Sequence, residues 1–290
     1  MNIVLGTAQF GMDYGITNML GITHKSEVEQ ILNYAQENYI NTLDTAPGYG
    51  NSELVIGHYH RNRFKIITKT PHITNEVITD DDLKFVKDTL KSSLNRLNIS
   101  QVYGIFIHNV ADCYKKDSEK LFLTLEKLKY EGLVQKIGVS VYETRDIEML
   151  LNSNLNFDII QLPINVLDQR ILRGNHLKVL KARGKEIYVR SIFLQGLLLE
   201  DISKMPEKFV EVLSFYFDAI KTKGLTKLES ALLFINSINE IDNIIIGVNN
   251  LNQLKEINEA YKRIQKMQIN TIDFSRYAVN EIDIIDPRRW

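Results

Sequence analysis

Polar side chains close several short apolar segments of this 290-residue chain. Asp44 follows NTL, Lys69 follows KIIT, His108 follows YGIFI, and Tyr49 comes shortly after Asp44. Together, these four residue types can transfer a proton. The ammonium lowers the pKa of the phenol, the carboxylate orients the ammonium, and the imidazole stabilises charge on a substrate oxygen. The pattern therefore indicates a proton-transfer site, on condition that the fold brings the three segments together.

Each of these residues also has an ordinary structural explanation. Asp44 could cap the turn APGYGNSE, and a single histidine such as His108 is more often structural than catalytic. Lys69 is harder to explain in this way, because lysine is rarely fully buried unless it pairs with a carboxylate such as that of Asp44. The hypothesis depends on whether the tertiary structure makes the residues converge.

The apolar segments predict a (β/α)8 TIM barrel. They read NIVLG, NTLD, KIITK, YGIFIH, KIGVS, FDIIQ, EIYVRS and NIIIG, and segments of helical period such as SEVEQILNYAQENY lie between most of them. Strands that are apolar on both faces are typical of a parallel sheet under a helical layer. The carboxyl ends of barrel strands share one mouth. The polar residues expected there are Asp44, Lys69, His108, Ser140, Gln161 and Arg190.

The chain is predicted to form one barrel domain over residues 1–290. An extra helix is expected around MPEKFVEVLSFYFDAIK, between the seventh strand and the seventh outer helix, and residues 266–290 form a C-terminal tail. A doubly wound open sheet would show the same alternation of strands and helices. GTAQFGMDYG after the first strand lacks the GxGxxG spacing of the dinucleotide-binding version of that fold, which favours the barrel.

Composition narrows the classes of partner. Lysine and arginine total 35 against 36 aspartates and glutamates, so no nucleic-acid or membrane partner is expected. Cys113 is the only cysteine, which excludes an internal disulfide and a cysteine-built zinc site, and no metal is expected. MNIVLGTAQF has no basic leader or long apolar run, so we expect a cytoplasmic protein. These features leave the oligomeric state open.

The chain resembles the aldo-keto reductases over nearly its whole length. LDTAPGYGNSELVIG, KIITKT and GIFIHN are similar to that family's catalytic motifs and occur in the same order. The resemblance implies that Tyr49 is the general acid, that Lys69 modifies its pKa, and that Asp44 and His108 complete the catalytic set. It also implies NADP(H) or NAD(H) as the cofactor, with NADPH slightly favoured.

The same resemblance implies a cofactor site. Residues placed like Ser140 and Gln161 hold the nicotinamide carboxamide in the family. GLL at 196–198 resembles the loop across the pyrophosphate, and IIGVNNLNQLKE resembles the strand and helix at the adenosine phosphate. The implied cofactor-binding residues are Gly6, Thr7, Gln9, Asp44, Ser140, Gln161, Arg190, Gly196, Leu197, Gly247, Val248, Asn249, Gln253 and Glu256.

The sequence also departs from the family pattern. Val141 stands where an asparagine is common, and Arg190 stands where an aromatic residue often stacks on the nicotinamide. A guanidinium there would disfavour the oxidised, cationic cofactor. Gly247 and Gln253 align with the basic residues that contact the 2′-phosphate of NADP, although backbone N–H groups at the following helix start could still take a phosphate.

The leading hypothesis is an NAD(P)H-dependent oxidoreductase that transfers hydride between nicotinamide and a small-molecule carbonyl or alcohol. GTAQFGMDYGITN is similar to reductases of bacterial surface-sugar pathways, which suggests a sugar or sugar nucleotide as substrate. One alternative is a catalytically weak regulatory or binding protein on the same fold. Another is a lyase with Lys69 as Schiff-base nucleophile, which Asp44 disfavours because it keeps the amine protonated.

The tail FSRYAVNEIDIIDPRRW is too apolar for a free chain end. Ile282, Ile284, Ile285 and Trp290 predict that part of it packs on the barrel near the mouth. Such packing could hold an arginine of the tail over the mouth, where a guanidinium matches a carboxylate or phosphate of an anionic substrate.

Overall fold

The computed structural model describes residues 1–60, 63–267 and 272–290. Eight parallel strands form a closed barrel in chain order, which confirms the predicted (β/α)8 TIM fold. Parallel pairing in register places the strand ends together: Gly6 lies opposite both Asp44 and Gly247, and Ser140 lies opposite Gln161. The strands are β1 (Asn2–Gly6), β2 (Thr42–Asp44), β3 (Lys65–Lys69), β4 (Val102–Ile107), β5 (Val134–Ser140), β6 (Ile159–Pro163), β7 (Glu186–Arg190) and β8 (Asn243–Gly247).

Helices surround the barrel. They are α1 (Lys25–Glu37), α2 (Ser52–Tyr59), α3 (Asp80–Leu97), α4 (Ser118–Tyr130), α5 (Thr144–Asn152), α6 (His176–Ala182), α7 (Glu207–Thr222), α8 (Lys227–Asn236), α9 (Leu251–Ile264) and the short α10 (Ile282–Ile285). Helix α3 has a typical sequence signal at each end: Thr79 and Asp82 form a capping box at its start, and Asn98 ends it in the left-handed conformation. Within the described residues, no helix is long and apolar enough to cross a lipid bilayer.

The core has two parts. Most of the buried apolar side chains lie between the strands and the helices, in a single large cluster. A smaller cluster fills the inside of the barrel, which is therefore a packed core and not a pore. Its buried members are Val4, Ile67, Phe106, Ile159, Tyr188 and Ile245. Gly138 passes this cluster so closely that an added Cβ would lie 2.4 Å from the Phe106 ring.

The predicted extra helix is α7, between β7 and α8. Its inward side chains Phe209, Leu213, Tyr216 and Phe217 recur at spacings of three and four residues and are buried, as an amphipathic helix requires. Phe209 packs edge to face on Trp290, with ring centroids 5.1 Å apart. The extra helix therefore provides the surface on which the chain end packs.

The predicted tail covers residues 266–290, of which 268–271 lie outside the described residues. From residue 272 onward it lies against the barrel. Val279 N–H donates to the carbonyl of Leu167 at 2.9 Å, and Gln169 Nε2 donates to the carbonyl of Phe274 at 2.7 Å. Ile285 is buried in the main core. Ile284, Ile285 and Trp290 thus anchor this segment as predicted, but the prediction was wrong for Ile282, which is 38% exposed.

Candidate active site

A polar layer lies directly above the apolar cluster inside the barrel. Side chains alternate along a strand, so a residue two positions after an inward one also points inward. Ile67 of β3 and Phe106 of β4 belong to the interior cluster, which sets Lys69 and His108 one layer nearer the mouth. The residues that follow the interior cluster by two positions are Gly6, Lys69, His108, Gln161, Arg190 and Gly247.

Asp44 and Lys69 form a buried ion pair at this mouth. Lys69 Nζ donates to the two Asp44 carboxylate oxygens at 3.0 and 2.8 Å and to the carbonyl of Thr45 at 2.9 Å. Both residues are almost fully buried, at 4% and 2% exposure. Burial disfavours the charge on Lys69, but Asp44 and Tyr49 outweigh it and raise the pKa of the amine above its ordinary value. Lys69 therefore stays an ammonium.

The buried Gln161 amide and the buried Ser140 hydroxyl extend the hydrogen-bond network of this pair across the mouth. Gln161 Nε2 donates to Asp44 Oδ1 at 3.2 Å, and Ser140 Oγ lies 3.4 Å from Gln161 Oε1. A buried carboxylate that accepts hydrogen bonds from an ammonium and an amide is held in one orientation. The network therefore fixes Asp44 and, through it, the position of the Lys69 ammonium.

Tyr49 contacts the ion pair from the loop between β2 and α2. Lys69 Nζ lies 4.8 Å from the centroid of the Tyr49 ring, and the His108 ring meets the same tyrosine edge to face at 6.1 Å between centroids. Asp44, Lys69, Tyr49 and His108 therefore converge as the sequence predicted, although they come from three separate segments.

The direction of the Tyr49 pKa shift differs from the sequence-based expectation. Burial is the largest influence and raises the pKa of the phenol above its ordinary value, while Lys69 lowers it only in part. Lys69 lowers the pKa only in part because the Asp44 carboxylate, 2.8 Å from the Lys69 ammonium, offsets the effect of that positive charge on Tyr49. The predicted lowering was wrong for this state: the phenol keeps its proton, as a proton donor must before the reaction.

His108 follows β4 and is a neutral imidazole. Burial, and then the positive charges of Lys69 and Arg190, lower its pKa to about 3. A neutral ring has one N–H to donate, which suits it to orient a carbonyl oxygen without adding a charge.

We expect the His108 ring to show no protonation between about pH 5 and 9, because its pKa lies below that range. The measurement is the ring resonances of histidine-labelled protein in an NMR pH titration, assigned with a His108→Gln variant. A midpoint between pH 5 and 8 for the missing resonance would show that the cations near His108 are more screened than the geometry indicates.

A cavity of about 410 Å³ opens beside Tyr49. This is within the range of small-molecule and cofactor sites. Twelve of the predicted site residues line it: Gly6, Thr7, Gln9, Asp44, Tyr49, Gln161, Arg190, Gly196, Gly247, Asn249, Gln253 and Glu256.

The other predicted site residues lie outside the cavity wall. Lys69 and His108 contact Tyr49, and Ser140 contacts Gln161. The side chains of Leu197 and Val248 are packed in the main hydrophobic core, with 1% exposure each. Any contact that these last two make with a ligand would therefore have to come from their backbone.

Two loops supply wall residues that the sequence reasoning missed. The loop after β1 contributes Tyr14, Thr17 and Asn18, and the loop after β7 contributes Phe193 and Gln195, among others. Loops at this end of a barrel commonly carry site residues. No periodicity in the sequence shows which of their side chains turn inward.

These loops meet each other at the edge of the cavity. Gln195 accepts a hydrogen bond from Ile16 N–H at 3.2 Å through Oε1, and its carbonyl accepts one from the Thr17 hydroxyl at 3.0 Å. Gly196 has φ +95°, and a Cβ there would lie 1.9 Å from Thr17 Oγ1. Leu194 and Gln195 themselves have left-handed φ angles of 48° and 52°. Such strained backbone is typical of ligand sites.

At the end of the cavity formed by β8 and α9, backbone N–H groups around the start of α9 already donate to side chains of the protein. The Glu27 carboxylate accepts from Leu251 N–H at 2.6 Å, and Gln253 Oε1 accepts from Asn249 N–H at 2.7 Å. Asn250 accepts from Gln253 N–H at 2.9 Å. The expectation that N–H groups here take a phosphate stays a prediction; in this conformation a phosphate would have to displace these side-chain acceptors, one of which is a carboxylate.

Arg288 of the tail reaches the mouth but is already paired. Its guanidinium lies 3.8 Å from the centroid of Tyr142, and it donates to Asp286 Oδ1 at 2.9 Å and Oδ2 at 2.5 Å. No residue among the described part of the tail, 272–290, lines the cavity. The prediction that a tail arginine binds substrate is therefore not supported for Arg288, because Asp286 neutralises its charge.

The cavity fits a nicotinamide dinucleotide by the chemistry of its wall. Gly6, Gly196 and Gly247 leave backbone accessible on three sides, where a large ligand can approach closely. The acidic side chain of Glu256 matches an adenine amino group. Tyr49 lines the same space, so a cofactor in the cavity would lie beside its phenol.

Comparisons with known proteins agree with this arrangement. The model of the Aldo/keto reductase family matches residues 2–276. D-arabinose 1-dehydrogenase of Saccharomyces cerevisiae is 28% identical over 123 residues, which are 40% of this chain and 36% of the yeast enzyme. The match thus spans about a third of that relative.

Solved structures share the fold. Aldo-keto reductase AKR11C1 of Bacillus halodurans, in its holo form, superposes with a TM-score of 0.73 at 19% identity, covering 98% of this chain and 95% of that one. A Pseudomonas aeruginosa structure described as an aldo-keto reductase gives a TM-score of 0.68 at 20% identity, covering 91% and 90%. The family match over nearly the whole length shows that this chain belongs to the aldo/keto reductase family, a family of NAD(P)H-dependent oxidoreductases.

Proposed function

We propose that the protein reduces the carbonyl group of a small molecule at the expense of a reduced nicotinamide cofactor, with Tyr49 as the proton donor. One observation carries this proposal: a buried Asp44–Lys69 pair and a neutral His108 both contact a protonated Tyr49 at the edge of a cavity of about 410 Å³. These four residues from three separate segments have no simpler structural role in common.

The chain's own residues account for the proton half of the reaction. The bound cofactor would supply the hydride. His108 would donate its N–H to the carbonyl oxygen and orient it, and Tyr49 would give its proton to that oxygen as negative charge develops. Lys69, held by Asp44, would then stabilise the phenolate that remains.

The lyase alternative is disfavoured by the geometry. A Schiff base requires an unprotonated amine, but burial beside Asp44 and Tyr49 leaves the pKa of Lys69 raised. Its nitrogen already donates to three acceptors, on Asp44 and Thr45. A measurement of turnover distinguishes the other alternative, a regulatory or binding protein on this fold, from an enzyme.

The proposal is tested by following the absorbance of NADH and of NADPH in the presence of a panel of aldehydes, ketones and sugars. Sugar aldehydes belong in the panel because the yeast relative is a D-arabinose dehydrogenase and the first-strand segment GTAQFGMDYGITN resembles that of sugar-pathway reductases. Turnover that requires both cofactor and carbonyl supports a reductase. Tight cofactor binding without turnover on any carbonyl would favour the binding protein.

We expect the dissociation constants of NADPH and NADH to lie within about tenfold of each other, which is a difference in binding free energy of about 1.4 kcal/mol. We also expect that NADPH is not preferred. No lysine is found among the described wall residues, and Glu27 occupies the start of α9. Fluorescence titration of both cofactors measures the ratio, and a Glu27→Gln variant should shift it toward NADPH. A preference for NADPH of a thousandfold in the unmodified protein would mean that a basic group reaches the 2′-phosphate in another conformation.

A further inference from the structure

Arg190 is the only positively charged side chain among the described residues that line the cavity. It ends β7, two positions after Tyr188 of the interior cluster, so strand alternation points it into the mouth. Its charge contributes to the low pKa of His108 and acts on Tyr49 as well, which shows that the guanidinium lies near both groups.

The charge of Arg190 is not neutralised within the described part of the chain. Its two hydrogen bonds go to neutral acceptors, the carbonyl of Val141 at 3.0 Å and the hydroxyl of Ser191 at 3.4 Å. Other partly buried arginines pair with carboxylates: Arg96 with Glu53 and Arg170 with Asp168. A guanidinium has five N–H groups, so Arg190 keeps donors available to a ligand.

Arg190 is also held in place by stacking. Its guanidinium carbon lies 4.0 Å from the centroid of Tyr142, and that of Arg288 lies 3.8 Å from the same centroid. Asp286 fixes Arg288 with a bidentate ion pair. The tail therefore supports Tyr142, and Tyr142 supports Arg190, which lowers the entropy cost of binding a ligand with this side chain.

The acidic residues that line the cavity do not neutralise the charge of Arg190. Asp44 is paired with Lys69, and Glu200 and Glu256 each lie outside ion-pair distance of the Arg190 guanidinium. An anion bound at Arg190 would therefore lie beside Tyr49 and His108, where the carbonyl of a substrate must also lie.

We propose that Arg190 is a specificity-determining residue that binds an anionic group of the substrate, so that carbonyl compounds carrying a carboxylate or a phosphate are preferred over neutral ones. This inference rests on the proposed reductase function. A planar guanidinium donates two parallel hydrogen bonds to such oxyanions, which gives both affinity and orientation.

The test compares matched substrate pairs in the intact protein. Succinic semialdehyde is compared with butanal, and glyceraldehyde 3-phosphate with glyceraldehyde, so that carboxylate and phosphate are scored separately. We expect kcat/KM of the unmodified protein to favour the anionic member of at least one pair by about tenfold or more. In Arg190→Gln we expect the ratio of kcat/KM for the anionic member to kcat/KM for the neutral member of that pair to fall to about one, mostly through a higher KM for the anionic member.

Arg263→Gln is the matched control, because it removes a guanidinium that lies outside the cavity wall and whose charge is paired with Glu229. It should keep the anionic preference. Arg190→Lys should retain part of it. Dissociation constants of NADH and NADPH, measured by fluorescence for Arg190→Gln and for the unmodified protein, separate an effect on the substrate from an effect on the cofactor.

Two results would overturn the inference. An equal loss on neutral and anionic substrates would make Arg190 a structural residue, and weakened cofactor binding with unchanged substrate preference would assign its charge to the cofactor. Both are distinct from failure of the reductase function itself, in which the unmodified protein would turn over neither member of either pair with either cofactor.

Discussion

Replacing Tyr49 with phenylalanine is expected to lower kcat by at least about a hundredfold, because general acid catalysis typically contributes ~10² to 10⁴. The ring and its contact with His108 remain, and only the hydroxyl that carries the transferable proton is lost. Affinity for NADH and NADPH should barely change. Steady-state kinetics with a responsive carbonyl, together with cofactor titration, measure both quantities.

Tyr103→Phe is the matched control. Tyr103 lies at the amino end of β4, at the opposite end of the barrel from His108, and its hydroxyl donates to Glu186 at 3.1 Å. It should lose a structural hydrogen bond and keep its turnover. If Tyr49→Phe retains turnover comparable to that control, the proton comes from another group and Tyr49 has no catalytic role.

Replacing Lys69 with methionine is expected to lower both stability and turnover. The change leaves the buried Asp44 carboxylate without its ammonium partner, and breaking a buried ion pair in this way costs about 3 kcal/mol or more. Since the folded-state pKa of Lys69 is raised, its contribution is fully present below the ordinary pKa of 10.5 and is lost only as the pH rises through the folded value. At neutral pH the whole loss should appear in denaturant unfolding.

Lys84→Met is the control for this change. Lys84 pairs with Asp88 at 2.6 Å on the exposed face of α3, with 75% of its side chain accessible, and little stability should be lost there. The double variant Lys69→Met, Asp44→Asn removes both buried charges and should recover part of the stability but none of the turnover. If Lys69→Met and Lys84→Met lower the free energy of unfolding by the same amount, the buried pair contributes no more to stability than a surface pair.

Local rules determined much of this protein from the sequence alone. Continuous apolar runs such as KIITK and FDIIQ fixed buried parallel strands, and the alternation of side chains then placed Lys69, His108 and Gln161 in one layer above the barrel interior. The cost of burying a charge predicted that Lys69 would meet Asp44. These inferences hold because each depends on neighbours in the same strand or on the strand beside it.

Only the tertiary structure decided the electrostatics of the site. Whether the pKa of Tyr49 rises or falls depends on the sum of burial, Lys69 and Asp44, which no local pattern contains. The same holds for Glu27, which reaches the start of α9 from the far end of the sequence, and for the contrast between the unpaired Arg190 and the neutralised Arg288. The residue types can be identified in the sequence, but the energy of a charge depends on distances and solvent exposure that exist only once the chain has folded.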